Sequence, residues 1–345
     1  MKGCKFGSHR VIEPKGVLPQ PALKIDNTME PCDNEILLDV IRLNIDSASF
    51  HQILEEVGKD EKKVADKVLS IVGQRGKMHN PVTGSGGMLI ARVAKIGDDL
   101  KGKVAIKEGD RIATLVSLSL TPLKINAIKK VHLDQDQVEV DAQAILFESG
   151  VYAKLPDDMT ETLALSILDV AGAPAQVKRL AKKGDTIFII GAGGKSGLLC
   201  AAMARDIIGK EGRIIGLVRS EKAAKTAEKL NMCDELFTGS ATDAVTIYNE
   251  LHKRTGGKMA DLTINCVNVP DTEMTSILAT RDRGTVYFFS MATSFTKAAL
   301  GAEGIGYDVD MIIGNGYCKD HADISLDIVR KYPVLREIFG DKFSK

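Results

Sequence analysis

Thr186-Ile-Phe-Ile-Ile190 runs directly into Gly191-Ala-Gly-Gly-Lys-Ser-Gly197 and then into Leu198-Leu-Cys-Ala-Ala-Met203. An apolar run of β-formers, a glycine turn and an apolar helical segment predict a buried strand that opens into a helix. Glycines at 191 and 193 permit a tight turn and a close approach of backbone to phosphate, while the unpaired amides of the first helical turn favour an anion. Gly191, Gly193, Gly194, Lys195, Ser196 and Gly197 are therefore candidate ligands of a dinucleotide pyrophosphate. The spacing, Gly-x-Gly-x-x-x-Gly, is one residue longer than the common fingerprint. A second strand-like run, Arg213-Ile-Ile-Gly-Leu-Val218, follows at the distance of a βαβ unit. Gly194-Lys195-Ser196 also ends like a P-loop, but the glycine required five residues before Gly194 is Ile189, which sets nucleotide hydrolysis aside.

Around this motif strands and helices alternate. After a helical stretch from Glu161 to Ala181, broken at Gly172-Ala-Pro174, β-like runs at 186–190, 213–218, 261–267, 284–290 and 309–313 predict a parallel sheet covered by helices. The earlier half reads as short strands at 35–43, 87–96 and 110–117 with Gly and Pro between them, the pattern of a small β-barrel. An amphipathic insertion at about 50–74 interrupts it, with Ile53, Val57, Val64, Val68 and Ile71 at helical spacing. The nucleotide sheet looks complete before the last helical segment, Ala322 to Phe339, so that segment is expected to return to the first domain. The expected division is 1–155 with 318–345, and 156–317.

The 345 residues carry 46 basic and 46 acidic side chains, with no long run of one sign. Nucleic acid and anionic membrane surfaces are poor partners for such a chain, because both require a basic face. Six scattered cysteines without a Cys-x-x-Cys pair predict free thiols in a reducing cytoplasm. Neither a signal peptide nor a membrane span is expected.

A β-barrel followed by a nucleotide sheet resembles the medium-chain dehydrogenase/reductase superfamily over essentially the whole chain. Pro81-Val-Thr-Gly-Ser-Gly-Gly87 is similar to that family's loop bearing a zinc-binding His and an adjacent Glu, and Leu43-Asn-Ile-Asp-Ser-Ala-Ser49 to the strand end bearing its first zinc Cys. The resemblance implies an α/β protein, a GroES-like β-barrel catalytic domain joined to a Rossmann doubly wound sheet, with substrate in the cleft between them. It also implies a homodimer, with the strand around Met311 to Gly314 as a pairing edge. The metal ligands depart from the pattern. Ser85 and Gly86 stand where His and Glu would be, Ser47 near the Cys position, and Ser166 or Asp169 near the third ligand. Neutral hydroxyls hold zinc poorly, and the family's four-cysteine structural site is missing, so no zinc is expected.

Without a metal, alcohol oxidation lacks stabilisation for its alkoxide. An alkyl ammonium loses its proton at a pKa of roughly 10, within reach of an ordinary side-chain base, and reduction of a carbon–carbon double bond needs no metal either. Residue chemistry leaves both reactions open. The opening Gly3-Cys-Lys-Phe-Gly-Ser-His-Arg-Val-Ile-Glu-Pro-Lys-Gly-Val-Leu-Pro-Gln-Pro-Ala22, the insertion after Ser49, the loop 81–87 and the turn 191–197 resemble, within the superfamily, the dehydrogenases of diamino acids. That likeness implies oxidative deamination: hydride leaves C3 for NAD or NADP, and water converts the imine to a ketone and ammonia. A zinc-free quinone or enoyl reductase, or an NADPH-binding protein without catalysis, would share the turn and the missing ligands.

Ser47, Ser49, Ser85 and Asp169 are the candidates around the reacting carbon, with Asp169 as base or ammonium anchor and the serines ordering water. The same residues could instead cap turns and bond backbone amides. His9, Arg10, Glu13 and Lys15 are possible partners for the substrate's charges, and His51 and His79 are further candidates. Where an NAD-specific enzyme ends its second strand with an acid, this chain has Arg219-Ser220, which suits a 2'-phosphate and predicts that NADP is accepted. Asn265, Val267, Ser290, Met291 and Thr293 end the later strands and are expected beside the ribose and nicotinamide.

Overall fold

The computed structural model describes residues 1–314 and 316–343, and the chain divides into two compact units, Met1–Asp158 and Met159–Lys345. In the first unit the elements are β1 (Val11–Glu13), β2 (Lys24–Ile25), β3 (Glu35–Asn44), α1 (Ser47–Val57), α2 (Glu61–Arg75), β4 (Met88–Ile96), β5 (Arg111–Thr114), β6 (Leu123–His132), β7 (Gln137–Phe147) and β8 (Tyr152–Lys154). Strands β6-β7-β3-β4-β5-β8 form an antiparallel sheet in that order, and β1 pairs with β2 as a separate ribbon. Strand β3 lies inside the sheet and sends Leu38 and Leu43 into its core beside Leu89 and Val138. The expected insertion is two helices rather than one. Asp60 starts the second by accepting from the amides of Lys62 and Lys63, a side-chain cap that satisfies donors the new helix would otherwise leave unpaired. Phe50, Ile53, Val64 and Val68 are fully buried in the same core, each contributing roughly 1.5–3 kcal/mol by leaving water.

The second unit contains α3 (Glu161–Leu168), α4 (Gly172–Leu180), β9 (Thr186–Ile190), α5 (Lys195–Ile208), β10 (Arg213–Val218), α6 (Glu221–Leu230), β11 (Glu235–Thr238), α7 (Ala244–Thr255), β12 (Ala260–Asn265), α8 (Glu273–Leu278), β13 (Thr280–Phe288), α9 (Phe295–Ile305), β14 (Asp310–Ile313), α10 (His321–Lys331) and α11 (Pro333–Phe343). Its sheet is parallel throughout, in the order β11-β10-β9-β12-β13-β14. Ile187 to Ile190 are completely buried, as expected of a central strand covered on both faces. The chain moves one way from β9 to β10 and β11, then returns to the other side of β9 as β12, so the winding reverses between β9 and β12. Ligands of open α/β sheets bind at the carboxyl ends of the strands beside such a reversal.

The C-terminal stretch expected to rejoin the first domain belongs to the second unit. Helix α10 packs on α3, α4 and α5, and α11 on α3, α5 and α6, burying Leu326, Val329, Leu335, Ile338 and Phe339. A complete sheet says nothing about the helical layer above it, which is where these side chains go. Pro333 opens α11 and splits the single helix read from the sequence; residues 344 and 345 lie outside the described residues. Among the described residues no helix is long and apolar enough to cross a membrane.

Candidate active site

In the second unit, the candidate cofactor residues collect at the carboxyl edge of the sheet. Gly191 to Gly197 follow β9, Arg219 and Ser220 follow β10, Val267 lies just after β12, and Ser290, Met291 and Thr293 lie just after β13. Helix α5 begins after Gly194, an N-cap that gives no side-chain bond, which leaves its leading amides available to an anion. Gly193 is tightly placed: a Cβ there would collide with the Ala223 carbonyl oxygen. The Lys195 ammonium is already held by Asp169 at 2.5 Å, and Ser196 is buried. Ser220 caps α6 by accepting from the Ala223 amide at 3.3 Å, whereas Arg219 is exposed. Below them Lys222, Lys225, Lys229 and Lys342 line a pocket of about 540 Å³ with Glu221 and Asp341.

Asn265 is fully buried, and its amide nitrogen donates to Thr272 and Ser276 while its oxygen accepts from the Val267 amide. Its side chain works within the fold and sets the loop that carries Val267. Ser290 accepts from the Ala292 amide, and Met291 is exposed. Thr293 Oγ1 is shielded from solvent and has no partner among the described residues. An orphaned hydroxyl at the same carboxyl edge of the sheet as a glycine turn and an uncapped helix fits a bound nicotinamide dinucleotide, whose amide and ribose offer donors and acceptors.

In the first unit the serines are divided. Ser49 Oγ lies 2.5 Å from Thr83 Oγ1, which also accepts from the Ser85 amide at 3.4 Å, so Ser49 and Ser85 meet through Thr83. Ser47 instead donates to Asp136 at 2.6 Å. Asn80, which the sequence reading passed over, braces the group. Its amide nitrogen donates to the Ser49 carbonyl at 3.2 Å and to Gln52 at 2.8 Å, and its oxygen accepts from the Val82 and Thr83 amides. The sequence signal was Asn80-Pro81, a dipeptide that favours a side-chain-bonded turn. Asp169 belongs to the second unit, in its ion pair with Lys195.

The loop at 81–87 offers no thiolate, imidazole or carboxylate. A Cβ at Gly86 would collide with the Met78 carbonyl oxygen and lie 2.7 Å from the Ser119 amide, so no ligating side chain could stand there. Among the described residues, the one group of metal-capable side chains is His9, Cys32 and Glu35, within 4.8 Å of one another. That group is built as an ion-pair clamp. Arg10 donates to both Glu35 oxygens at 2.8 and 2.7 Å, the Cys32 amide donates to Oε2, His9 Nε2 lies 3.0 Å from Oε1, and the Cys4 amide donates to His9 Nδ1. Burial pushes the Glu35 carboxyl up, but these bonds and charges outweigh it and hold the group below the usual carboxylate range. Arg10 and His9, offered by the sequence as partners for substrate charges, are thus already engaged, and Lys15 donates to the Val11 carbonyl.

Residues 9–156 match the family described as L-erythro-3,5-diaminohexanoate dehydrogenase N-terminal domain, and residues 197–313 the family described as zinc-binding dehydrogenase. The chain is 60% identical over 339 residues to the L-erythro-3,5-diaminohexanoate dehydrogenase of Acetoanaerobium sticklandii, covering 98% of each chain. It is 56% identical over 340 residues to the enzyme of that name from Fusobacterium nucleatum, covering 99% of each. In fold it is similar to a mycobacterial quinone oxidoreductase (TM-score 0.55, 16% identity, 92% of this chain and 85% of that one). It is likewise similar to an alcohol dehydrogenase from Thermotoga maritima (TM-score 0.55, 15% identity, 90% and 86%).

Proposed function

The chain belongs to the L-erythro-3,5-diaminohexanoate dehydrogenase family, and from this we infer that it oxidatively deaminates L-erythro-3,5-diaminohexanoate to 5-amino-3-oxohexanoate and ammonia. The observation that carries the reading is identity of 60% to a relative of that name across 98% of both chains. A bound nicotinamide supplies the ring carbon that accepts hydride. The chain's own residues supply the rest: the free amides at the start of α5 receive the pyrophosphate, and Ser49 and Ser85, joined through Thr83, order water near the substrate. Asp169 steadies Lys195 at the pyrophosphate turn. The direct test adds the diamino acid and NAD or NADP to purified protein and follows reduced cofactor and ammonia together. Neither reduced cofactor nor ammonia, from protein that still binds NAD(P)H, would return the assignment to the quinone or enoyl reductases.

We infer that the reaction needs no zinc, since the loop at 81–87 carries no thiolate, imidazole or carboxylate and leaves no room for a side chain at 86. Dialysis against EDTA is expected to leave turnover unchanged, and loss restored by zinc would contradict this. Exposed Arg219 supports acceptance of NADP. Truncation by Arg219→Ala is expected to weaken NADP binding roughly 10- to 100-fold, the worth of a charge-assisted bond to phosphate, with little effect on NAD. Fluorescence titration with the reduced cofactors reads both. A cytoplasmic homodimer in lysine fermentation is the setting we propose. The edge position of β14, with exposed Ile313 on it, supports pairing between copies.

A further inference from the structure

In the first unit, Oδ2 of Asp46 and Nδ1 of His79 are shielded from solvent, have no hydrogen-bond partner among the described residues and lie in neighbouring parts of the fold. Ser49 and Asn80 tie their segments together. Asp46 Oδ1 accepts from the Ser49 amide at 3.0 Å, and Asn80, the residue after His79, donates to the Ser49 carbonyl at 3.2 Å. The glycine-rich loop runs against the same peptide, since a Cβ at Gly87 would lie 2.7 Å from the Asp46 amide nitrogen. A shielded carboxylate oxygen without a donor has lost its hydration uncompensated, and folded proteins retain such an atom where something else explains it.

Two other carboxylates, that of the candidate Asp169 and that of Asp136, each hold a partner. Asp169 is paired with Lys195, and Asp136 accepts from Ser47. Asp46 alone among these three has an oxygen that is shielded from solvent and, among the described residues, without a donor. His79 adds a second acceptor. Burial first, and then Lys77 and Arg75, drive its imidazole down to about 4, so at neutral pH it is uncharged and does not repel a cation. Lys77 donates to the Pro19 and Gln20 carbonyls.

Resting on the functional reading above, we propose that Asp46 receives the C3 ammonium of the substrate through Oδ2 and takes its proton, with His79 Nδ1 as a second acceptor for the same group. Asp46 as a whole is only half-buried, and its terminal torsion is soft, so a turn about Cβ–Cγ can bring either oxygen to the accessible side. Proton transfer breaks one N–H bond, forms a carboxyl O–H and leaves a lone pair on nitrogen. That pair forms the C=N bond as the C3–H pair departs as hydride. Water adds to the iminium carbon, cleavage of C–N frees ammonia, and Asp46 returns its proton to solvent. Over a turnover the ammonium substrate, oxidised cofactor and water become ketone, ammonium, reduced cofactor and one proton.

The full chain carrying Asp46→Asn tests this, because asparagine caps a helix as well as aspartate and preserves the bond to the Ser49 amide. Asp46→Ser is a second variant that keeps a cap and removes the carboxylate. Both are expected to bind NADPH normally and to lose kcat roughly 10²- to 10⁴-fold, the usual span for a positioned base. Calorimetric titration with 3,5-diaminohexanoate in the presence of NADPH, where deamination cannot proceed, is expected to show at least tenfold weaker binding to either variant. A kcat within twofold of wild type, equal affinity in wild type and variants, or failure of the wild type to bind overturns the assignment. A wild type that binds the diamino acid and releases no ammonia sinks the functional reading while leaving Asp46 as the ammonium receptor.

Discussion

Glu35→Ala is expected to cost the first unit about 3–5 kcal/mol, the range for removing one partner of a buried ion pair and leaving the other charge uncompensated. Glu35 and Arg10 are 1% and 4% exposed, so water cannot take over the role of the carboxylate. Arg10 would keep its bonds to the Thr28 and Glu30 carbonyls and a contact with Asp26 at 3.7 Å, but neutral acceptors and a longer contact to a partly exposed carboxylate do not replace the two short bonds to Glu35. The pair also joins the segment before β1 to the start of β3, which makes the N-terminal arm part of the fold. Urea unfolding followed by circular dichroism would measure the loss. A change below about 1 kcal/mol, the worth of an exposed pair, would show that the guanidinium finds solvent after all.

Gly193→Ala is expected to weaken NAD(P)H binding roughly 10- to 100-fold, equivalent to the 1–3 kcal/mol typical of forcing one extra carbon into a filled space. The new Cβ meets the carbonyl oxygen of Ala223 and lies 2.9 Å from the Ala223 Cβ. Either the turn or the start of α6 has to move. Both changes disturb the cofactor edge: one carries the free amides of α5, the other Arg219 and Ser220. Titration by nucleotide fluorescence, beside a thermal melt to separate binding from stability, would register it. Unaltered affinity would mean that the pyrophosphate does not use this turn.

The legible parts of the fold were those with strong apolar patterns. The run 186–190 and its glycine turn, the strands at 35–43 and 87–96, and the alternation from 186 to 313 could all be read from residue order. Strand β11 escaped notice because Glu235-Leu-Phe-Thr238 is short and sits at a sheet edge, half-buried and without an alternating face. Helices α10 and α11 were recognised as helical but sent to the wrong layer, since an apolar stripe does not name the surface it will cover. At the site, glycine spacing located the turn. Side-chain partners were not legible: that Ser47 would bond Asp136, across 89 residues, or that Asp169 would engage Lys195, depends on distant chain segments meeting. Asp46 was hidden by its ordinary role as a helix cap.

The brace built by Asn80 ties the history of the helical insertion to that of the glycine-rich loop. Asn80 is fully buried, and its two amide protons are taken by the Ser49 carbonyl and Gln52, both on α1. A deletion that removed the insertion would strand both donors in the interior, and a loop lacking Asn80 would leave the Ser49 carbonyl and Gln52 without this donor. Neither segment can be lost or transplanted alone without a buried polar group going unmatched, so a graft of this loop onto another barrel must carry α1 with it.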